Sequence, residues 1–139
     1  MNIDSIQNGI VIDHITAGKA MQLYNLLHLD TLDASVAMIM NVVSRRMGRK
    51  DIIKIDADIP VDLDVIGYVD PGATVNFIRD GVLTEKKNIH LPERLVNVLR
   101  CRNPRCITST EQELSHIFVL TNREEKVYRC VYCETKNAN

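Results

Sequence analysis

The sequence lacks tryptophan and is poor in aromatic residues, with four tyrosines and two phenylalanines in 139 residues. Proteins that bind single-stranded nucleic acid stack bases on aromatic side chains, so this scarcity argues against that class. The formal net charge is −1, so no overall basic field attracts nucleic acid either. We therefore expect no nucleic-acid partner.

Long apolar runs are also missing. None approaches the roughly 20 residues that a membrane helix needs, so we expect no membrane partner. The glycine-rich phosphate loops of nucleotide hydrolases and of dinucleotide-binding enzymes do not occur. Asp13 and His14 form an acid–histidine pair, but no Ser or Cys nucleophile stands in a recognisable setting, which favours a hydrogen-bonding role over catalysis.

Cysteine is absent before residue 101 and then occurs four times, as Cys101-x4-Cys106 and Cys130-x2-Cys133. Two short turns with a cysteine at each end, held together by a strand pair, deliver four thiolates to one tetrahedral zinc ion. Two disulfides are the alternative. We expect a cytoplasmic protein, because no signal peptide is recognisable, and thiols stay reduced there. A catalytic zinc is disfavoured, because four thiolates leave no position for water.

The predicted zinc ion also explains how residues 101–139 fold. A segment below about 40 residues rarely buries enough apolar surface without a metal, disulfides or a partner. Structural zinc contributes on the order of 10–16 kcal/mol in small peptides. We therefore expect that removing the metal unfolds this segment.

Hydrophobic periodicity predicts five strands and two helices in the remaining chain. The predicted strands are Gly9–Ile15, Ala34–Ser44, Lys50–Ile59, Ala73–Ile78 and Val82–Lys87, and the predicted helices are Ala17–Leu29 and Val61–Val69. Thr16 is the expected N-cap of the first helix, and Ala34–Ser44 is expected to be buried. This βαββαβ order with an added strand predicts an α+β, ferredoxin-like domain followed by a small zinc-ribbon-like β domain. A free face or edge of its sheet must be covered, and we expect a ligand or a second copy of the chain to cover it.

Two basic clusters leave alternatives open. The first consists of Arg45, Arg46, Arg49 and Lys50, and the second of Arg100, Arg102 and Arg105. The first cluster could contact phosphate, although such a run is usually a solvated turn. The two clusters together would support a rival hypothesis, a zinc-ribbon protein that binds nucleic acid.

Four strings, together with the cysteine pattern, resemble the regulatory chain of aspartate carbamoyltransferase over essentially the whole sequence. The strings are Gly9–Ile15 (GIVIDHI), Met47–Ile55 (MGRKDIIKI), Ala73–Asn76 (ATVN) and Leu91–Arg94 (LPER). The resemblance implies a non-catalytic chain with a nucleotide-binding domain at residues 1–92 and a hinge near Leu91–Leu95. It also implies a zinc domain at residues 93–139 that docks on the catalytic chain.

The resemblance further implies a homodimer through the N-terminal domain, and control of the first committed step of pyrimidine biosynthesis by ATP, CTP and UTP. It assigns Lys54 and Lys86 to ribose or phosphate and makes Asp13 face the sugar, with His14 beside the site. The full set of implied nucleotide contacts is Ile6, Asp13, His14, Lys50, Lys54, Asn76, Leu83 and Lys86. The implied zinc ligands are Cys101, Cys106, Cys130 and Cys133.

Overall fold

The computed structural model describes residues 6–137. The chain divides into two compact units, Met1–His90 and Leu91–Asn139. Among the described residues, no helix is long and apolar enough to cross a membrane.

The first unit is built on a five-stranded antiparallel sheet with two helices. The elements are β1 (Gly9–Thr16), α1 (Ala20–Leu26), a 3-10 turn (Leu29–Thr31), β2 (Val36–Ser44), β3 (Gly48–Ile55), α2 (Leu63–Val69), β4 (Thr74–Arg79) and β5 (Val82–Asn88). The strand order is β2-β3-β1-β4-β5. This order, with the two helices in the crossovers, confirms the predicted ferredoxin-like fold with an added strand.

The core lies on one face of this sheet. Ile10 and Ile12 of β1 are opposite Ile55 and Ile53 of β3, and all four side chains are buried. Both helices contribute buried apolar residues to the same cluster. Because side chains alternate along a strand, the residues between these isoleucines point to the other face, which the helices leave open.

Helix α1 begins later than predicted and uses a different cap. Thr16 is the last residue of β1, and the helix starts at Ala20 without a side-chain cap on the preceding residue. The buried carboxylate of Asp51 instead accepts hydrogen bonds from the backbone N–H of Gly18 and Ala20 at 2.9 and 3.2 Å. Its second oxygen accepts the N–H of Asn41 at 2.9 Å.

Two strand predictions need correction. The segment expected to be buried, β2, lies at the edge of the sheet, and Met40 and Val43 are 56% and 72% exposed. An apolar run of this kind does not reveal which strands will flank it. Strand β3 ends at Ile55 rather than Ile59, because Ile55 is paired with Ile10 and Val36, which lie where the neighbouring strands begin.

The second unit contains β6 (Arg94–Val96), α3 (Ile107–Thr110), β7 (Ile117–Asn122) and β8 (Val127–Cys130), with strand order β6-β7-β8. Leu95, Phe118 and Tyr128 form its buried centre. Two residues of the segment expected to be a hinge, Leu91–Leu95, accept hydrogen bonds from side chains of this unit. The Tyr128 hydroxyl donates to the carbonyl of Pro92, and Arg123 donates to the carbonyl of Leu91.

We predict that Asp51→Ala destabilises the first unit by about 3 kcal/mol, because three backbone N–H groups lose their charged acceptor. Asp56→Ala is the matched control, since Asp56 is exposed just beyond the end of the same strand. Hydrogen exchange of residues 6–90 in increasing urea measures the effect. Equal protection in the two variants would show that Asp51 has no such role.

Candidate metal centre and the open face of the sheet

The four cysteines of the second unit converge on one point. Their Sγ atoms all lie within 4.8 Å of one another. Cys101 Sγ is 3.5 Å from Cys133 Sγ, and Cys106 Sγ is 3.7 Å from Cys130 Sγ. A tetrahedral ion with metal–sulfur bonds of about 2.3 Å places its ligands about 3.8 Å apart, whereas a disulfide needs about 2.05 Å. The cluster therefore fits a metal ion, and its cysteines are free thiols.

Local turns fix the cysteine positions. Cys106 directly precedes α3, and its N–H donates to the carbonyl of Asn103 at 3.0 Å. Cys130 ends β8, and its carbonyl accepts the N–H of Glu134 at 2.9 Å. The first bond closes a turn that ends at Cys106, and the second closes a turn that contains both Cys130 and Cys133.

Two threonine hydroxyls support the sulfurs. Thr108 Oγ1 lies 3.1 Å from Cys106 Sγ, and Thr135 Oγ1 lies 3.1 Å from Cys133 Sγ. A hydroxyl that donates to a metal-bound thiolate orients the ligand and stabilises its charge. The sequence spacing did not single out these threonines, although both stand two residues after a cysteine.

The surroundings of the thiols also affect how readily they ionise. Burial raises the pKa of Cys101 to about 12, and burial likewise raises the pKa of Cys130. The hydrogen bond with Thr135, by contrast, lowers the pKa of Cys133 to about 6. Four thiolates cannot coexist here at neutral pH without a compensating positive charge, which a bound metal ion supplies.

The open face of the first unit aligns three of the predicted nucleotide contacts. Val11 of β1 is paired with Lys54 of β3 on one side and Asn76 of β4 on the other, and Asn76 is paired with Lys86 of β5. Neighbouring strands are about 4.8 Å apart, so these four residues form one row across the sheet.

A charged cluster lies next to this row. Asp13 is two residues beyond Val11, and its Oδ1 is 2.9 Å from Lys50 Nζ. His14 has the left-handed φ of 58°, at an irregularity in β1, and its Nδ1 is 3.0 Å from Thr74 Oγ1. Left-handed backbone is uncommon outside glycine, and His14 shares it with six other non-glycine residues among those that the structure describes. Thr74 was not among the predicted site residues, and its only signal in the sequence is its place in the ATVN string.

The opposite end of the open face is apolar. Leu83 of β5 is paired with Ile78 of β4, and Ile78 is paired with Gly9 of β1. A side chain at position 9 would clash with the Ile55 carbonyl oxygen and would also meet Ile6 Cγ2, so Ile6 lies beside this end. Leu83 is exposed, so this end offers an apolar side chain at the surface.

Positive charge dominates around His14. Burial lowers the pKa of His14, and the charges of Lys50, Arg46 and Lys86 lower it further, against the opposing effect of Asp13. Burial raises the pKa of Asp13, but hydrogen bonds from Lys50 and the His14 amide outweigh it and lower the pKa overall. At neutral pH the histidine is therefore neutral and the carboxylate is ionised, which leaves excess positive charge.

A ferredoxin-like unit, joined to a small β unit with a closed cluster of four cysteines, defines a two-domain protein with a metal-binding site. The family model described as "Aspartate carbamoyltransferase regulatory chain, allosteric domain" matches residues 1–90, and the one described as "Aspartate carbamoyltransferase regulatory chain, metal binding domain" matches residues 93–139. The chain belongs to the family of aspartate carbamoyltransferase regulatory chains, as the sequence motifs predicted. It is a regulatory chain and not a catalytic one.

Curated relatives carry the same description. The aspartate carbamoyltransferase regulatory chain of Clostridium tetani is 47% identical over 135 residues, covering 96% of this chain and 94% of the relative. The corresponding chain of Bifidobacterium longum is 46% identical and covers 96% of both. The Clostridium botulinum chain is 44% identical and covers 96% of this chain and 92% of the relative.

We predict that His14 titrates below the ordinary value of 6.5 and that Lys50→Gln raises its pKa, because the substitution removes a nearby charge and frees Asp13. Since the folded chain holds this proton less tightly than the unfolded chain, His14 costs stability as the pH falls below about 6.5. NMR titration of the histidine ring measures the pKa. Arg49→Gln is the control, because Arg49 donates to the Asn41 carbonyl instead. A value above 6.5 in the parent protein would contradict the prediction.

Proposed function

We propose that this chain binds ATP, CTP and UTP on the open face of its sheet and thereby controls the catalytic chain of aspartate carbamoyltransferase. Catalysis of the first committed step of pyrimidine biosynthesis would thus respond to nucleotide concentration. The observation that carries the proposal is the row of Lys54, Asn76 and Lys86 beside the Asp13–Lys50 ion pair. A triphosphate is strongly anionic and matches this excess of positive charge.

Each end of the open face suits one part of a nucleotide. Lys54 and Lys86 are proposed to bind ribose or phosphate, and Asp13 to accept hydrogen bonds from the sugar hydroxyls. The base is placed at the apolar end beside Ile6 and Leu83. Adenine and cytosine both present an exocyclic amine next to a ring-nitrogen acceptor, so one pair of backbone groups can bind either.

Effectors of different size can then produce different conformations. A purine extends further than a pyrimidine and would displace β5 near Leu83. A ligand shifts a conformational equilibrium only if its affinity differs between the two states. The contact of the base with β5 near Leu83 would provide such a difference in affinity.

We propose that the metal is zinc, one ion per chain. Four thiolates in a closed tetrahedral set suit Zn²⁺, which has no redox chemistry to perform here. The thiols must be reduced to bind it, as they are in the cytoplasm, where we place the protein. The metal-stabilised unit, residues 93–139, is proposed to dock on the catalytic chain.

We further propose that two copies pair through the N-terminal domain at the outer edge of β2. Within residues 6–137 no strand pairs with that edge, and the nine residues of β2 include no charge. Met40 and Val43 are exposed on it. A long, apolar, unpaired edge is a template for adding another strand, and a second copy would satisfy its backbone groups.

We predict that Lys54→Ala and Lys86→Ala each weaken CTP and ATP binding by about 1.5–3 kcal/mol, because each removes a charged hydrogen-bond donor. Lys87→Ala is the matched control, since Lys87 is paired with Val75 on the core-side face, lies over the Phe77 ring and pairs with Glu85. Calorimetric titration of the isolated chain measures the affinities. Unchanged affinity in both variants would place the nucleotide site elsewhere.

We predict that a chelator releases one zinc ion per chain and unfolds the second unit, while nucleotide binding by the first unit persists. Cys130→Ser should reproduce this result, because it removes one of four ligands. Metal analysis gives the stoichiometry, and hydrogen exchange of residues 91–137 reports the unfolding. Restoring protection by adding zinc back is the control. If metal analysis found no zinc in protein purified under reducing conditions, the zinc assignment would be refuted.

A further inference from the structure

The second cysteine pair lies in the turn of a hairpin. Strand β8 ends at Cys130, and Cys133 follows in the turn. Residues 135–137 then run back beside β8, where Lys136 is paired with Arg129. We call these three residues the return arm. Because the arm closes the turn, its attachment to β8 determines how firmly the turn holds the two cysteines.

Asn137 attaches the end of the return arm to β8 through two hydrogen bonds with Tyr128. The Asn137 backbone N–H donates to the Tyr128 carbonyl at 2.8 Å. The side-chain Oδ1 of Asn137 accepts the Tyr128 N–H at 2.9 Å, where a regular antiparallel pair would use a backbone carbonyl. Both residues are buried. Alanine at position 137 could not accept the Tyr128 N–H, so this attachment depends on the asparagine side chain.

The return arm also contacts both cysteines of the second pair. Thr135 Oγ1 is 3.1 Å from Cys133 Sγ, and the Thr135 carbonyl accepts the Cys130 N–H at 3.0 Å. The first pair is supported differently, because Thr108, which lies 3.1 Å from Cys106 Sγ, belongs to helix α3. Detaching the arm should therefore weaken the support of the second pair and leave that of the first pair in place.

We propose that Asn137 is a positioning residue of the metal centre, which holds Thr135 against Cys133 and thereby slows release of the metal ion. This inference rests on the proposed zinc site. A hydroxyl that donates to a bound thiolate orients the ligand and stabilises its negative charge. A ligand stabilised in this way is harder to displace by a proton or by a competing ligand. Asn137 acts through the return arm and is not itself a ligand.

The test measures how fast the full, zinc-loaded chain transfers zinc to an excess of a chromogenic chelator. Asn137→Ala should release zinc about ten-fold faster than the parent chain, as expected when support of a metal ligand is lost. Thr135→Val keeps the size of the side chain, removes the hydroxyl and should also speed release. Lys136→Ala is the matched control, because Lys136 is exposed on the same arm, and it should release zinc at the parent rate.

Double variants separate this role from a general loss of stability. If Asn137 acts through Thr135, Asn137→Ala combined with Thr135→Val should release zinc no faster than Asn137→Ala alone, because both changes remove the same contact. Asn137→Ala combined with Thr108→Val should instead multiply the two separate effects, since Thr108 supports the other cysteine pair.

Cobalt in place of zinc gives a spectroscopic readout. Loss of a hydrogen bond to a thiolate raises the energy of the sulfur electrons. The thiolate-to-cobalt charge-transfer band should therefore move to longer wavelength in Asn137→Ala and in Thr135→Val, and it should stay in place in Lys136→Ala.

Three results would each overturn the inference. They are equal release rates for Asn137→Ala and Lys136→Ala, an unmoved cobalt band in Asn137→Ala, and multiplied effects of Asn137→Ala and Thr135→Val. Thr135→Val keeps the test decisive if Asn137→Ala does not fold, because release from it at the parent rate would overturn the inference as well. If the parent chain binds no zinc, the proposed zinc site itself fails, and this outcome is distinct from the others.

Discussion

The register of β1 against its two neighbours determines which side chains meet on the open face. Val11 is opposite Lys54 on one side and Asn76 on the other, while Ile10 and Ile12 point into the core. A slip of one residue would exchange the two faces and bury a charge. Burial of the isoleucines therefore fixes the site indirectly, because the same register that forms the core also aligns the polar row.

Much of the fold was predictable because its signals are local. Alternating residues identified β3, and the Asp80–Gly81 turn, with φ of 52° and 76°, forms the tight β4–β5 hairpin. The edge position of β2 was not predictable, because burial depends on which strands flank an apolar run. The cap of α1 was missed for a similar reason, since Asp51 is 31 residues beyond Ala20.

The two candidate sites also differ in how far local sequence patterns could predict them. The metal cluster was predictable from spacing, because each cysteine pair lies within a single turn and the strand pair between them unites the turns. The open face draws on four strands, so no local pattern indicated that Lys54, Asn76 and Lys86 share a row. The motif resemblance implied these residues as nucleotide contacts, and the structure shows that they are aligned. The contact between Thr74 and His14 is seen only in the structure.

Nucleotide occupancy of the first unit is proposed to alter the activity of the catalytic chain. The most direct test measures the aspartate concentration for half-maximal rate in the reconstituted complex, with and without CTP. A flexible Gly-Ser segment between His90 and Leu91 provides the comparison chain. We expect CTP to shift the parent by a coupling free energy of about 1–3 kcal/mol and to leave the inserted chain unshifted although it still binds CTP. An equal shift in both chains would contradict transmission through this junction, and no shift in the parent would contradict the regulatory role.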